Sequence, residues 1–92
     1  MRIRWTELSI EDLTRICDYI EEQDGPAAAR RVVLRIYQGI DSLTQFRRRG
    51  RPGRKIGTRE LVISGLPFIA IYFVRTDAIE IVRILHGAQK WP

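Results

Sequence analysis

His86 is the chain's single histidine, and no other side chain here has an ordinary pKa close to neutrality. Arg83 stands three residues before it, and Arg59 opens a separate stretch rich in Leu, Val and Ile. A larger charge feature lies between the helical and strand-like halves, in the run QFRRRGRPGRKIGTRE from Gln45 to Glu60. There Arg47, Arg48, Arg49, Arg51, Arg54 and Lys55 follow one another with no acid among them. Such a run can grip phosphate, hold an acidic partner, or simply keep a loop hydrated. On an ideal strand Arg83 and His86 project to opposite faces, so they meet only if the chain departs from ideal pleating.

Charge placement narrows these choices. Six of the 16 cationic side chains lie in the run, which leaves 10 against 11 acids elsewhere, so the net charge of +5 is a local patch on a neutral body. The glycines of the run do not form a P-loop, because no Gly-Lys-Ser/Thr element leads into a helix. They fit a sharply turning loop stiffened by Pro52. No His, Cys, Asp or Glu cluster has metal-ligand spacing, and no cofactor is implied. Cys17 is alone, which excludes a disulfide framework, and its place in an apolar stripe reads as core.

The elements that must position these residues follow from hydrophobic period. With 92 residues and 45% apolar side chains, the chain is expected to form one domain, 1–92, with a modest core. No apolar stretch approaches the ~20 residues that span a bilayer, so a cytoplasmic protein is expected. Arg2 to Trp5 alternates as a short strand with Ile3 and Trp5 inward. Ser9 and Asp12 form a Ser-x-x-Asp start signal, after which Ile10, Leu13, Ile16, Cys17 and Ile20 share a helical face ending near Gln23. Asp24-Gly25-Pro26 stops that helix and starts a second one, whose stripe carries Ala29, Val32, Val33, Ile36, Ile40 and Leu43. After the basic loop, 47–57, the period changes. Arg59 to Ile63, Phe68 to Arg75 and Ile79 to His86 read as strands, with Phe68 to Val74 central and covered on both faces. The expected architecture is α+β, in the order β-α-α-β-β-β, with a helix hairpin packed on a mostly antiparallel four-stranded sheet.

That order, with Gly57-Thr58-Arg59-Glu60-Leu61-Val62 leading into the sheet and Arg83-Ile84-Leu85-His86-Gly87-Ala88-Gln89 leaving it, resembles the RelE/ParE superfamily of bacterial toxins. These are the toxin halves of type II toxin–antitoxin pairs, and the tail is more similar to the ParE branch. The resemblance implies a cognate antitoxin with an acidic, partly disordered segment joined to a DNA-binding domain, so that operator DNA is met only through the antitoxin. It also implies one of two targets. ParE-like members poison DNA gyrase, whereas RelE-like members cut messenger RNA on the ribosome.

Metal-free RNA cleavage needs a base for the 2′-hydroxyl, an acid for the leaving oxygen and cations around the phosphate. RelE-like nucleases are similar to one another in placing an arginine directly after the aromatic that opens the central strand. Here Ile69 follows Phe68, and Gly87-Ala88 stands where a second arginine belongs. No catalytic residue is therefore assigned outright. A nuclease would have to use Arg59, Arg83 and His86, and the other reading of His86 is an anchor for the C-terminal turn. Contacts to target or partner are expected from Arg47, Arg48, Arg49, Arg51, Arg54, Lys55, Gln89 and Trp91. Trp91 could equally cover the sheet edge.

Overall fold

A computed structural model describes residues 1–87 and Gln89. The chain opens with β1 (Arg2–Trp5), whose Ile3 and Trp5 pack on the core, and turns at once into helix α1 (Glu7–Asp24). Thr6 is the cap. Its hydroxyl accepts the Ser9 backbone N–H at 3.1 Å, satisfying one of the donors a helix start leaves open, and donates to the Val82 carbonyl at 3.2 Å. The helix thus begins before the expected Ser9 signal, because Thr6 supplies a suitable hydroxyl immediately after the strand.

A second difference concerns the buried face of α1. Ser9, Asp12, Leu13 and Ile20 are turned inward, whereas Ile10 is 51% exposed. The helix is rotated away from its purely apolar stripe, and Asp12 reaches the backbone N–H of Ile84 in the last strand. Cys17 is a free, half-buried thiol packed on the core.

Gly25, at φ 91°, closes α1 by donating to the Glu21 carbonyl at 2.9 Å and stands before Pro26 at the first turn of α2 (Pro26–Asp41). Ala29, Ile36 and Ile40 of α2, with Leu43 in the short 3₁₀ turn Ser42–Thr44, are all but inaccessible to water. Ile36, Ile40 and Leu43 each contribute roughly 1.5–3 kcal/mol by burial. They cover a five-stranded sheet in the order β1-β5-β4-β3-β2, formed by β2 (Arg51–Pro52), β3 (Thr58–Val62), β4 (Phe68–Val74) and β5 (Ala78–His86) with β1. All neighbours run antiparallel except β1 and β5. The expected sheet had four strands. The fifth is the two-residue edge β2 inside the basic loop, paired as Arg51↔Glu60 and Pro52↔Arg59.

Strand β4 is central, as its doubly apolar pattern requires. Phe68, Ala70 and Tyr72 join the main core with the helices, and Ile69 and Ile71 form a smaller cluster with Leu85 and Val82. The β4–β5 ladder passes from Ile71↔Arg83 to Tyr72↔Ile81, leaving Val82 as an extra residue. Such a bulge bends the strand and re-aims a side chain. Here it sets Arg83 level with Ile71, from where its guanidinium reaches Asp12 of α1.

Candidate functional site

The basic loop is tied to the sheet by Tyr72, Arg59, Glu60 and Thr58, whose hydroxyl donates to the Lys55 carbonyl at 2.5 Å. The Tyr72 hydroxyl, fully buried at the middle of the sheet, accepts the Gly50 N–H at 2.9 Å and donates to the Arg47 carbonyl at 2.8 Å. Arg59 donates from Nε to the Gly50 carbonyl at 2.9 Å and from Nη2 to the Arg48 carbonyl at 3.1 Å. Glu60, only 4% exposed, accepts from Arg51 Nε and Nη2 at 3.2 and 3.1 Å and from the Arg54 N–H at 3.2 Å, with Arg54 Nε 3.7 Å away. Gly50 must be a glycine, since a Cβ there would lie 2.7 Å from the Tyr72 hydroxyl and 2.8 Å from the Glu60 carbonyl oxygen.

This anchoring sorts the loop cations. Arg51 and Arg54 spend much of their charge on Glu60. Arg49 sits 5.9 Å over the Phe46 ring, within cation–π range. Arg47 and Arg48 are exposed and make no ion pair among the described residues. Lys55 lies at the exposed tip beside Ile56, which is 97% accessible.

Arg83 and His86 lie at a second place. Arg83 forms a forked pair with Asp12, Nε to Oδ2 at 2.7 Å and Nη2 to Oδ1 at 3.0 Å. The buried carboxylate also accepts the Ile84 N–H at 3.0 Å and lies 3.4 Å from Arg15. The hydrogen bond to Asp12 raises the Arg83 pKa and the carboxylate's charge adds to this, against the opposing effect of burial. His86 turns its ring edge to Phe68, with centroids 6.0 Å apart. Its backbone N–H donates to Gln89 Oε1 at 2.6 Å, and the Gly87 N–H donates to the Pro67 carbonyl at 2.7 Å, so the turn after β5 is anchored through the backbone. Asp12, Tyr19, Phe68, Ile84, His86 and Gln89 help line one shallow groove of about 260 Å³. Arg83 pairs with Ile71 and His86 with Phe68 in regular register, so the two alternate to opposite faces as expected, and Arg83 meets Asp12 through its long side chain. Trp91, expected at a contact surface, lies outside the described residues.

Arg59 does not join them. It is level with Tyr72 on β4, whereas His86 is level with Phe68. Those positions are about 13 Å apart along the strand at ~3.3 Å per residue, with two further strand spacings of ~4.8 Å across the sheet. Ile69 is buried against Leu85 on the outer face. Among the described residues no group of three or more His, Cys, Asp or Glu side chains is placed to hold a metal ion. Of the residues that organise the two places, Glu60 and Tyr72 were not singled out from sequence, and Asp12 was read only as part of a helix start signal. Only the isolation of Glu60 directly after the basic run hinted at its role.

A helix hairpin on a mixed sheet, with a cationic loop strapped to one edge, defines a toxin of the RelE/ParE superfamily. The family profile described as ParE toxin of type II toxin-antitoxin system, parDE, matches residues 3–91, and the chain belongs to that family. It is 45% identical over 91 residues to the Y4kP protein of Sinorhizobium fredii, covering 99% of this chain and 93% of that protein. Identity to Toxin RelE2 of Caulobacter vibrioides is 40% over 88 residues, covering 96% and 97% of the two chains. Among solved structures, the chromosomal ParDE TA system from P. aeruginosa superposes with a TM-score of 0.87 at 32% identity over 94% of this chain and 95% of that one. The YoeB/ParE toxin from Agrobacterium tumefaciens gives 0.66 at 17% identity, covering 94% and 98%, a likeness of fold. The protein is a type II toxin, and its family implies a cognate antitoxin. No helix of the described residues is long and apolar enough to cross a membrane.

Proposed function

We propose that this toxin arrests growth without catalysis, by binding DNA gyrase, and that an acidic antitoxin segment silences it. The carrying observation is the state of the three residues a nuclease would need. Arg83 is committed to a buried carboxylate, and His86 lies two strands and four residues of strand away from Arg59. Phosphoryl chemistry needs cations and proton-transfer groups converging on one phosphate, and this arrangement disperses them. Silencing by a flexible acidic chain is supported by the cationic loop, which would steer its approach, and by β1, an edge strand open to augmentation.

The test is a supercoiling assay with purified gyrase and saturating toxin, read together with trapped cleaved gyrase–DNA complexes. Inhibition with trapped complexes is expected. Normal supercoiling would remove the gyrase reading. Codon-positioned cuts in a translating extract, lost in His86→Ala, would instead assign a ribosome-dependent endoribonuclease.

A further inference from the structure

Where the start of β3, the end of β4 and the basic loop meet, the surface sinks into an open depression of about 590 Å³. Arg47, Arg48, Arg59 and Arg75 line it together with Gly57 and Thr58, and no carboxylate is among the described lining residues. Sequence alone does not group these four arginines, because Arg75 lies far along the chain from the run.

Their charges are unequally compensated. Arg59 is held by backbone carbonyls, which fix its guanidinium without cancelling its charge. Arg47 and Arg48 make no ion pair among the described residues. Arg75 stacks 4.1 Å from the Phe73 ring centroid and donates to Glu80 Oε1 from Nη2 at 2.9 Å and Nε at 3.1 Å, so it is fixed and partly offset. The two other loop arginines, Arg51 and Arg54, turn to Glu60 instead. Folding has thus separated the run into cations used to hold the loop and cations left facing one hollow.

We propose that this depression binds the phosphodiester backbone of duplex DNA. Guanidinium forks match phosphate oxygens in pairs, and the cavity has room for more than one phosphate. Arg59 and Arg75 are already held in place, so little ordering cost remains on binding. No aromatic side chain is among the described residues that line the hollow, and these offer no stacking platform of the kind unpaired bases use. An acidic peptide would also seek apolar anchors. One apolar groove lies away from the hollow, between α1 and α2 around Ile20, Val32 and Leu66, and another, at Phe46 with Arg48 and Arg49, adjoins it, so such a peptide is a direct competitor. Contacts of the proposed kind are independent of base sequence and weaken steeply with salt. The proposal goes beyond the gyrase reading and is tested without gyrase, so either can fail alone.

The experiment is fluorescence anisotropy of a labelled mixed-sequence DNA duplex with the full chain over a range of salt concentrations. Wild type should bind with a log–log salt slope of about −0.9 per phosphate engaged. The double variant Arg47→Ser, Arg48→Ser should bind at least about tenfold more weakly and flatten that slope by about two. The charge-matched double variant Arg30→Ser, Arg31→Ser on exposed positions of α2 should stay within about twofold of wild type if binding is local and not a response to net charge. Circular dichroism and urea midpoints check that both variants fold. Absence of salt-sensitive binding, or equal weakening by the two double variants, overturns the proposal. Tighter binding of single-stranded RNA or of a glutamate-rich peptide, with the same loss in the Arg47/Arg48 variant, overturns the assignment to duplex DNA.

Discussion

Asp12 is the residue on which the α1–β5 contact turns. It is 4% exposed, pairs with Arg83 through two hydrogen bonds and also satisfies the Ile84 N–H. Asp12→Ala would leave a half-buried guanidinium and a buried backbone donor without their acceptor. A loss of about 2–3 kcal/mol is expected in urea denaturation. Arg83→Met should cost less, since Asp12 keeps the Ile84 N–H and Arg15. The pKa of Arg83 is raised on folding, so its stabilisation is fully present below the unfolded arginine pKa. That stabilisation is lost only as pH rises through the still higher folded value. The stability difference between wild type and Arg83→Met should therefore be flat across neutral and mildly alkaline pH, and a slope there would contradict the pairing described. Asp12 was legible in sequence only as part of a helix start signal, because nothing local marks a carboxylate whose partner lies 71 residues away.

At the scale of elements, the basic loop is an extension of the sheet. Tyr72, Arg59 and Glu60 each use a β3 or β4 position to fix it, and Arg51–Pro52 pairs as an edge strand. Tyr72→Phe keeps the ring but leaves the Gly50 N–H and the Arg47 carbonyl without that partner. A cost of about 1–2 kcal/mol is expected, together with faster hydrogen exchange at the Gly50 amide while the exchange of β4 and β5 is unchanged. Equal acceleration throughout the sheet would mean that Tyr72 supports the core and not the loop. Long periodic elements were readable beforehand: the helix hairpin, the turn at Gly25-Pro26 and the central place of β4 all follow from local pattern. Two-residue β2 and the bulge at Val82 were not, since neither is long enough to leave a period.

Over the whole molecule, ion pairs gather on the sheet. Asp77 serves Arg2 and Arg4, Glu80 serves Arg4 and Arg75, Glu60 serves Arg51 and Arg54, and Asp12 serves Arg15 and Arg83. The net charge of +5 is therefore concentrated at the loop and the hollow beside it. A small domain of this size has only a few kcal/mol of stability to itself, and a partner that binds the folded form alone adds to it by mass action. The toxin–antitoxin complex should unfold at a distinctly higher temperature than the free toxin, with a gain of about 4 kcal/mol at a thousandfold excess over Kd. Part of that gain should disappear in high salt if acidic groups meet the loop. A melting temperature indifferent to the antitoxin would contradict wrapping of the folded domain.

Element order, the α+β class, the stripe of α2 and the local excess of positive charge were determined by the sequence itself. Each depends on neighbours within a turn or a strand, and hydrophobic period and turn chemistry carry such information directly. Which cations stay uncompensated was decided only by the tertiary structure. Arg51 meets Glu60 through strand pairing, Arg83 meets Asp12 where α1 packs on β5, and Arg75 comes to the side of Arg47 through the fold of β4. Electrostatic pairing acts over a few ångströms in space, and distance along the chain says little about it until register and packing bring the charges together.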